Sequence, residues 1–110
     1  MTQRDSVGEF EQLVMLAILR LEDDAYGVPI VEEIHQQTGR RVLKPAVYVA
    51  LRRLEDKALI TSWTGDATPE RGGRAKRYYQ VTKEGLERLR DSRRALLRMW
   101  KGLGGVLEGS

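Results

Sequence analysis

Two groups of residues have types and spacings that could do chemistry, and both are cationic. Lys44, Tyr48 and Arg52 recur at i, i+4 and i+8, which is one stripe of a helix, flanked by Pro45, Val49 and Arg53. Further on, 71-RGGRAKR-77 sets Arg71, Arg74, Lys76 and Arg77 around Gly72 and Gly73 with no acid between them. Arginine and lysine can grip phosphate oxygens, arginine can also fork onto a guanine edge, and a tyrosine hydroxyl can donate to a phosphate. Paired glycines let the backbone turn tightly and come close to a surface. Both groups suit a polyanionic partner. The plainer alternative is a solvated helix face and a solubilising loop.

The distribution of charge favours the first reading. The chain has 110 residues and a net charge of +3. Residues 1–38 hold two cationic and eight acidic side chains, residues 39–90 hold thirteen and six, and residues 91–110 hold four and two. An acidic first third followed by a basic middle says more about partners than the total does.

Catalytic chemistry finds little to work with. There is no cysteine, and His35 is the single histidine, on a mid-helix face without a partner in sequence, so it reads as structural or solvated. No Ser/His/Asp set is present, and the acid pairs Asp23-Asp24 and Glu32-Glu33 read as surface charge, so neither a metal nor a cofactor is expected. Gly72-Gly73 does not follow a strand and open a helix, as a nucleotide-phosphate loop would. Length predicts one domain. No cationic start precedes an apolar run, and the longest such run, Leu13 to Leu19, is too short to cross a bilayer. These features predict a soluble cytoplasmic protein.

The elements that must carry the two clusters are legible. Phe10, Leu13, Val14, Ala17, Ile18 and Leu21 share a helix face that ends at the polar 22-EDDAYG-27. A second helix is predicted over 28–38, opened by Gly27 and Pro29, faced inward by Val31 and Ile34, and capped by Gly39. After Arg40, Arg41 and a short extended Val42-Leu43, Lys44-Pro45 starts a third helix whose buried stripe is Val47, Leu51, Leu54 and Ala58. The runs 59-LITSWT-64 and 75-AKRYYQV-81 read as antiparallel strands across a long loop, with Tyr79 and Val81 inward. Thr82 should cap a last helix whose apolar positions Leu86, Leu89, Leu96, Trp100 and Leu103 follow a heptad seam.

Three helices followed by a hairpin give the winged helix-turn-helix order, in which the third helix enters the major groove and the hairpin loop, the wing, lies along the duplex. The expected fold is therefore mainly α with a small β-hairpin. Residues 1–82 would form the winged domain, residues 83–103 a C-terminal dimerisation helix, and residues 104–110 a disordered tail.

The chain also resembles the PadR-like family of transcriptional regulators, in its short form with one C-terminal helix. The resemblance rests on 9-EFEQLVMLAIL-19, 25-AYG-27, 47-VYVALRRLEDKALI-60 and 72-GGRAKRYYQVTKEG-85. Ala58 departs from the glycine usual there, and Pro45-Ala46 replaces the small residue and glycine often found before the helix tyrosine, so base preference does not carry over. The resemblance implies a homodimeric regulator, expected as a repressor on an inverted-repeat operator of double-stranded DNA. Its DNA contacts would be Lys44, Pro45, Tyr48, Val49 and Arg52 from the helix and Arg71, Gly72, Gly73, Arg74 and Lys76 from the wing. The dimer would be covered by Phe10, Leu13, Leu86, Leu89, Leu96, Trp100 and Leu103. Some members of the family bind flat aromatic effectors at the dimer interface, where Trp100 could stack on one; as a plain packing residue it needs no ligand. The alternative function is a winged-helix interaction module whose basic face meets an acidic protein.

Overall fold

A computed structural model gives the architecture and describes residues 7–65 and 75–108. Helix α1 (Glu9–Leu21) leads through a 3₁₀ turn (Glu22–Asp24) into α2 (Gly27–Thr38) and α3 (Lys44–Asp56). Strands β1 (Ile60–Thr64) and β2 (Arg77–Val81) pair antiparallel, with Ile60 opposite Val81 and Thr64 opposite Arg77. Helix α4 (Lys83–Trp100) and a short α5 (Gly104–Glu108) follow.

The core forms where the amphipathic faces of the first three helices meet the inner face of the hairpin. Val14, Met15, Ala17 and Ile18 of α1 meet Ile30 and Ile34 of α2 and Val47, Ala50, Leu51 and Leu54 of α3. Leu59, Ile60, Tyr79 and Val81 close it from below. Each buried aliphatic side chain contributes about 1.5–3 kcal/mol relative to exposure, so this cluster fixes the three-helix unit. Around its edge, Glu11 is 9% exposed and receives the Lys57 ammonium at 3.1 Å, tying α1 to the residue just past α3.

Helix ends follow local chemistry. Gly39 stops α2 in the left-handed conformation (φ 71°), its N–H donating to the His35 carbonyl at 2.8 Å. Pro45 sits in the first turn of α3, where a missing N–H costs nothing. Thr82 caps α4: its Oγ1 accepts from the Gly85 N–H at 3.1 Å and donates to the Ala58 carbonyl at 2.8 Å. The Thr82 N–H donates to the Leu59 carbonyl at 3.0 Å. A side chain at Gly85 would collide with that same carbonyl, so only glycine lets the first turn of α4 lie this close to the entry of β1.

Three expectations are corrected. Ala58 is not part of the buried stripe of α3: it lies past the helix end, exposed, with φ 61°, and Ala50 takes the buried place. Leu43 is extended as expected (φ −89°, ψ 137°) and serves as the N-cap of α3, but residues 42–43 pair with no strand among the described residues. The last long helix ends at Trp100 rather than Leu103, because Gly102 adopts φ 83° and turns the chain. Residues Gly104–Glu108 then form a helix where a disordered tail was expected, opened by the Val106 N–H donating to the Leu103 carbonyl.

Candidate nucleic-acid interface

Burial of Val47, Ala50, Leu51 and Leu54 turns the rest of α3 outward. Lys44, Pro45, Tyr48, Val49, Arg52 and Arg53 are all exposed, so the predicted reading residues share one accessible face. Among the described residues, Lys44, Arg52, Arg53 and neighbouring Arg41 have no ion-pair partner. Such a face can offer ammonium and guanidinium donors to phosphates or base edges. Val49, 52% exposed beside them, could meet a thymine methyl.

Tyr48 behaves differently from a freely projecting side chain. Its ring lies across the start of α2, with the hydroxyl against Gly27; a methyl group at Gly27 would stand 2.8 Å from the Tyr48 Cζ. The Tyr48 hydroxyl was expected at a phosphate; the residue is 42% exposed, but its hydroxyl is seated on the first turn of α2.

The second cationic cluster divides. Arg71, Gly72, Gly73 and Arg74 lie outside the described residues. Lys76 is half-buried, and its ammonium sits 4.3 Å over the Tyr26 ring and 3.3 Å from the Tyr26 hydroxyl. Arg77 faces Glu55 at 3.7 Å. Arg40 is bound to Glu9 at 2.7 Å, which holds the Glu9 carboxyl below its ordinary range through that hydrogen bond and charge. His35 is exposed, its Nδ1 3.2 Å from the Arg40 carbonyl oxygen.

The apolar residues assigned to a dimer interface also separate. Leu86 and Leu89 are half-buried against the core, while Leu96, Trp100 and Leu103 are exposed. Leu86, Leu89, Leu96 and Trp100 border a cleft of about 500 Å³ between α1 and α4 with Leu16, Leu19 and Leu97, flanked by Arg90 and Arg93; Leu103 does not line it. Phe10 and Leu13 are not in that cleft. Phe10 borders α3 beside Ala46, Val49 and Arg53, and Leu13 faces α2 beside Ile34 and Thr38. The α1 residues that do share it, Gln12, Leu16 and Leu19, were missed, although their four-then-three spacing continues the same kind of seam that α4 shows. Trp63 is 46% exposed and stacked on Tyr78. Among the described residues no three His, Cys, Asp or Glu side chains are grouped to hold a metal ion, and no helix is long and apolar enough to cross a membrane.

Comparisons with known proteins agree with this geometry. An uncharacterized protein of Lysinibacillus sphaericus is 32% identical over 80 residues, covering 71% of this chain and 69% of its own. The crystal structure of a PadR family transcriptional regulator from Eggerthella lenta superposes with a TM-score of 0.67 at 30% identity, over 93% of this chain and 88% of that one. A PadR family regulator from Clostridium difficile has the same fold, with a TM-score of 0.69 at 24% identity over 93% and 97% of the two chains. The description "Transcriptional regulator PadR-like family" matches residues 15–91, a span from the middle of α1 into α4 that takes in the bare face of α3 and both strands. A winged fold matched through most of its length by one family places this chain in the PadR-like family of transcriptional regulators.

Proposed function

We propose that the chain is a cytoplasmic, homodimeric repressor that occupies an inverted-repeat operator. The observation that carries this reading is the exposed face of α3, where Lys44 and Arg52 lack ion partners among the described residues. In this reading Lys44, Pro45, Tyr48, Val49 and Arg52 enter the major groove, and Arg71, Gly72, Gly73 and Arg74 meet the flanking backbone. The exposed apolar positions of α4 support pairing with a second copy, which would bury Leu96, Leu97 and Trp100.

Two reading helices related by a two-fold axis call for half-sites about 34 Å apart, one helical turn. Selection of bound fragments from random duplexes should return an inverted repeat of that spacing, and a promoter carrying it should fall silent when the chain is expressed. Loss of the Arg52 side chain (Arg52→Ala) should weaken operator binding by about 1–3 kcal/mol and relax one base position. Removing Arg74 should instead lower the slope of log affinity against log salt by about 0.9, with little change in preference. A stable monomer in sedimentation that binds acidic proteins in preference to duplex DNA would favour the interaction-module reading. A flat aromatic effector stacking on Trp100 is the second occupant the α1–α4 cleft could admit, and quenching of tryptophan emission by candidate aromatics tests it.

A further inference from the structure

The motif 25-AYG-27 has no part in the DNA contacts assigned above, yet the structure brings both contacting elements to it. On one side, Tyr26 and Tyr78 form an isolated antiparallel bridge, and the Tyr79 N–H donates to the Ala25 carbonyl at 2.9 Å. Strand β2 is therefore paired with β1 along one edge and pinned to the start of α2 along the other. The Tyr26 and Tyr78 rings meet edge to face at 5.6 Å, and the Trp63 ring stacks on Tyr78 at 6.1 Å. Gly65 leaves room for that stack, since a side chain there would strike the Tyr78 ring. The Lys76 ammonium lies over the Tyr26 ring of the set, 4.3 Å from its centroid. On the other side, the very next residue, Gly27, receives the Tyr48 hydroxyl of the reading helix.

One dipeptide thus touches the base of the wing through Tyr26 and the reading helix through Gly27. Aromatic contacts of this kind are worth little singly, but they are directional and resist sliding. A cation over a partly desolvated ring adds to that hold. We infer that Tyr26-Gly27 is a positioning junction that fixes wing and reading helix relative to each other, and that Lys76 acts within it rather than as a phosphate contact. This rests on the DNA-binding reading. It deepens that reading by assigning Lys76 and the 25-AYG-27 motif to geometry instead of charge.

The two roles of Lys76 separate experimentally. Operator affinity is measured over a range of salt for the wild type, Lys76→Met, Tyr26→Leu, the double variant and Tyr26→Phe, with thermal unfolding as a check on folding. A phosphate contact at Lys76 would show as a salt slope lower by about 0.9 in Lys76→Met. The positioning role predicts an unchanged slope and an affinity loss of about threefold to tenfold, the size of a coupled contact. It also predicts that the double variant is no weaker than the weaker single variant, while Tyr26→Phe, which keeps the ring under the ammonium, stays within about twofold of wild type. Additive losses, or a reduced slope in Lys76→Met, would overturn the junction. If Tyr26→Leu fails to fold, the slope of Lys76→Met and the near-normal affinity of Tyr26→Phe still decide. A wild-type chain that binds no duplex would refute the DNA-binding reading itself, a different outcome from additivity in a chain that binds.

Discussion

Ala58 is held in the left-handed region, with φ 61°. That conformation costs a residue with a side chain about 1–2 kcal/mol. Glycine would relieve it but gain about 0.4–1 kcal/mol of freedom in the unfolded chain. Ala58→Gly should therefore raise the unfolding free energy by about 0.5–1 kcal/mol, seen as a higher urea midpoint at unchanged slope. The sequence showed that an unusual residue stood here but not why, because spacing alone continued the helical stripe of α3 through it. A second residue-scale prediction concerns Tyr79, whose hydroxyl is pushed above the ordinary tyrosine range chiefly by burial, with Glu55 and Tyr48 adding to this and Arg77 opposing it. The folded chain holds that proton more firmly than the unfolded chain does. Its contribution is complete below about pH 10 and is lost as pH rises through the folded value. Tyr79→Phe should flatten that alkaline fall in thermal midpoint.

Among the elements, α4 depends on its first turn. Thr82 both caps that turn and donates to the Ala58 carbonyl, so Thr82→Ala removes two hydrogen bonds at once. A lost cap typically costs about 1 kcal/mol, and denaturant unfolding should show at least that much. The Thr82 cap was legible in the sequence, as were the start of α3 at Lys44-Pro45 and the inward Tyr79 and Val81, because each follows from local propensity or strict alternation. What was not legible arises between elements. Phe10 and Leu13 belong to the periodic face of α1, but that face meets two neighbours, and only packing reveals that Leu16 and Leu19 are the positions turned toward α4. Tyr48 and Gly27 lie in different elements, and no spacing rule links them.

At the scale of the whole molecule, the second half of α4 extends from the core with Leu96, Leu97, Met99 and Trp100 exposed. Apolar residues clustered in this way usually mark an interaction surface. Replacing Leu97 and Trp100 together with glutamate should shift sedimentation from dimer to monomer in the proposed assembly. Unfolding of the three-helix core should change little, since neither side chain is buried in it. Operator affinity should then fall to that of a single half-site.

The hydrogen bonds that join Thr82 to the Ala58 and Leu59 carbonyls have a mechanical consequence. They clamp the root of an eighteen-residue helix, about 27 Å long, to the turn between α3 and β1. A rod clamped at its root works as a lever: in the proposed dimer, the angle at which two such rods cross would dictate how far apart the two copies of α3 stand. Anything that changes that crossing angle would retune half-site spacing without touching a single DNA-facing side chain.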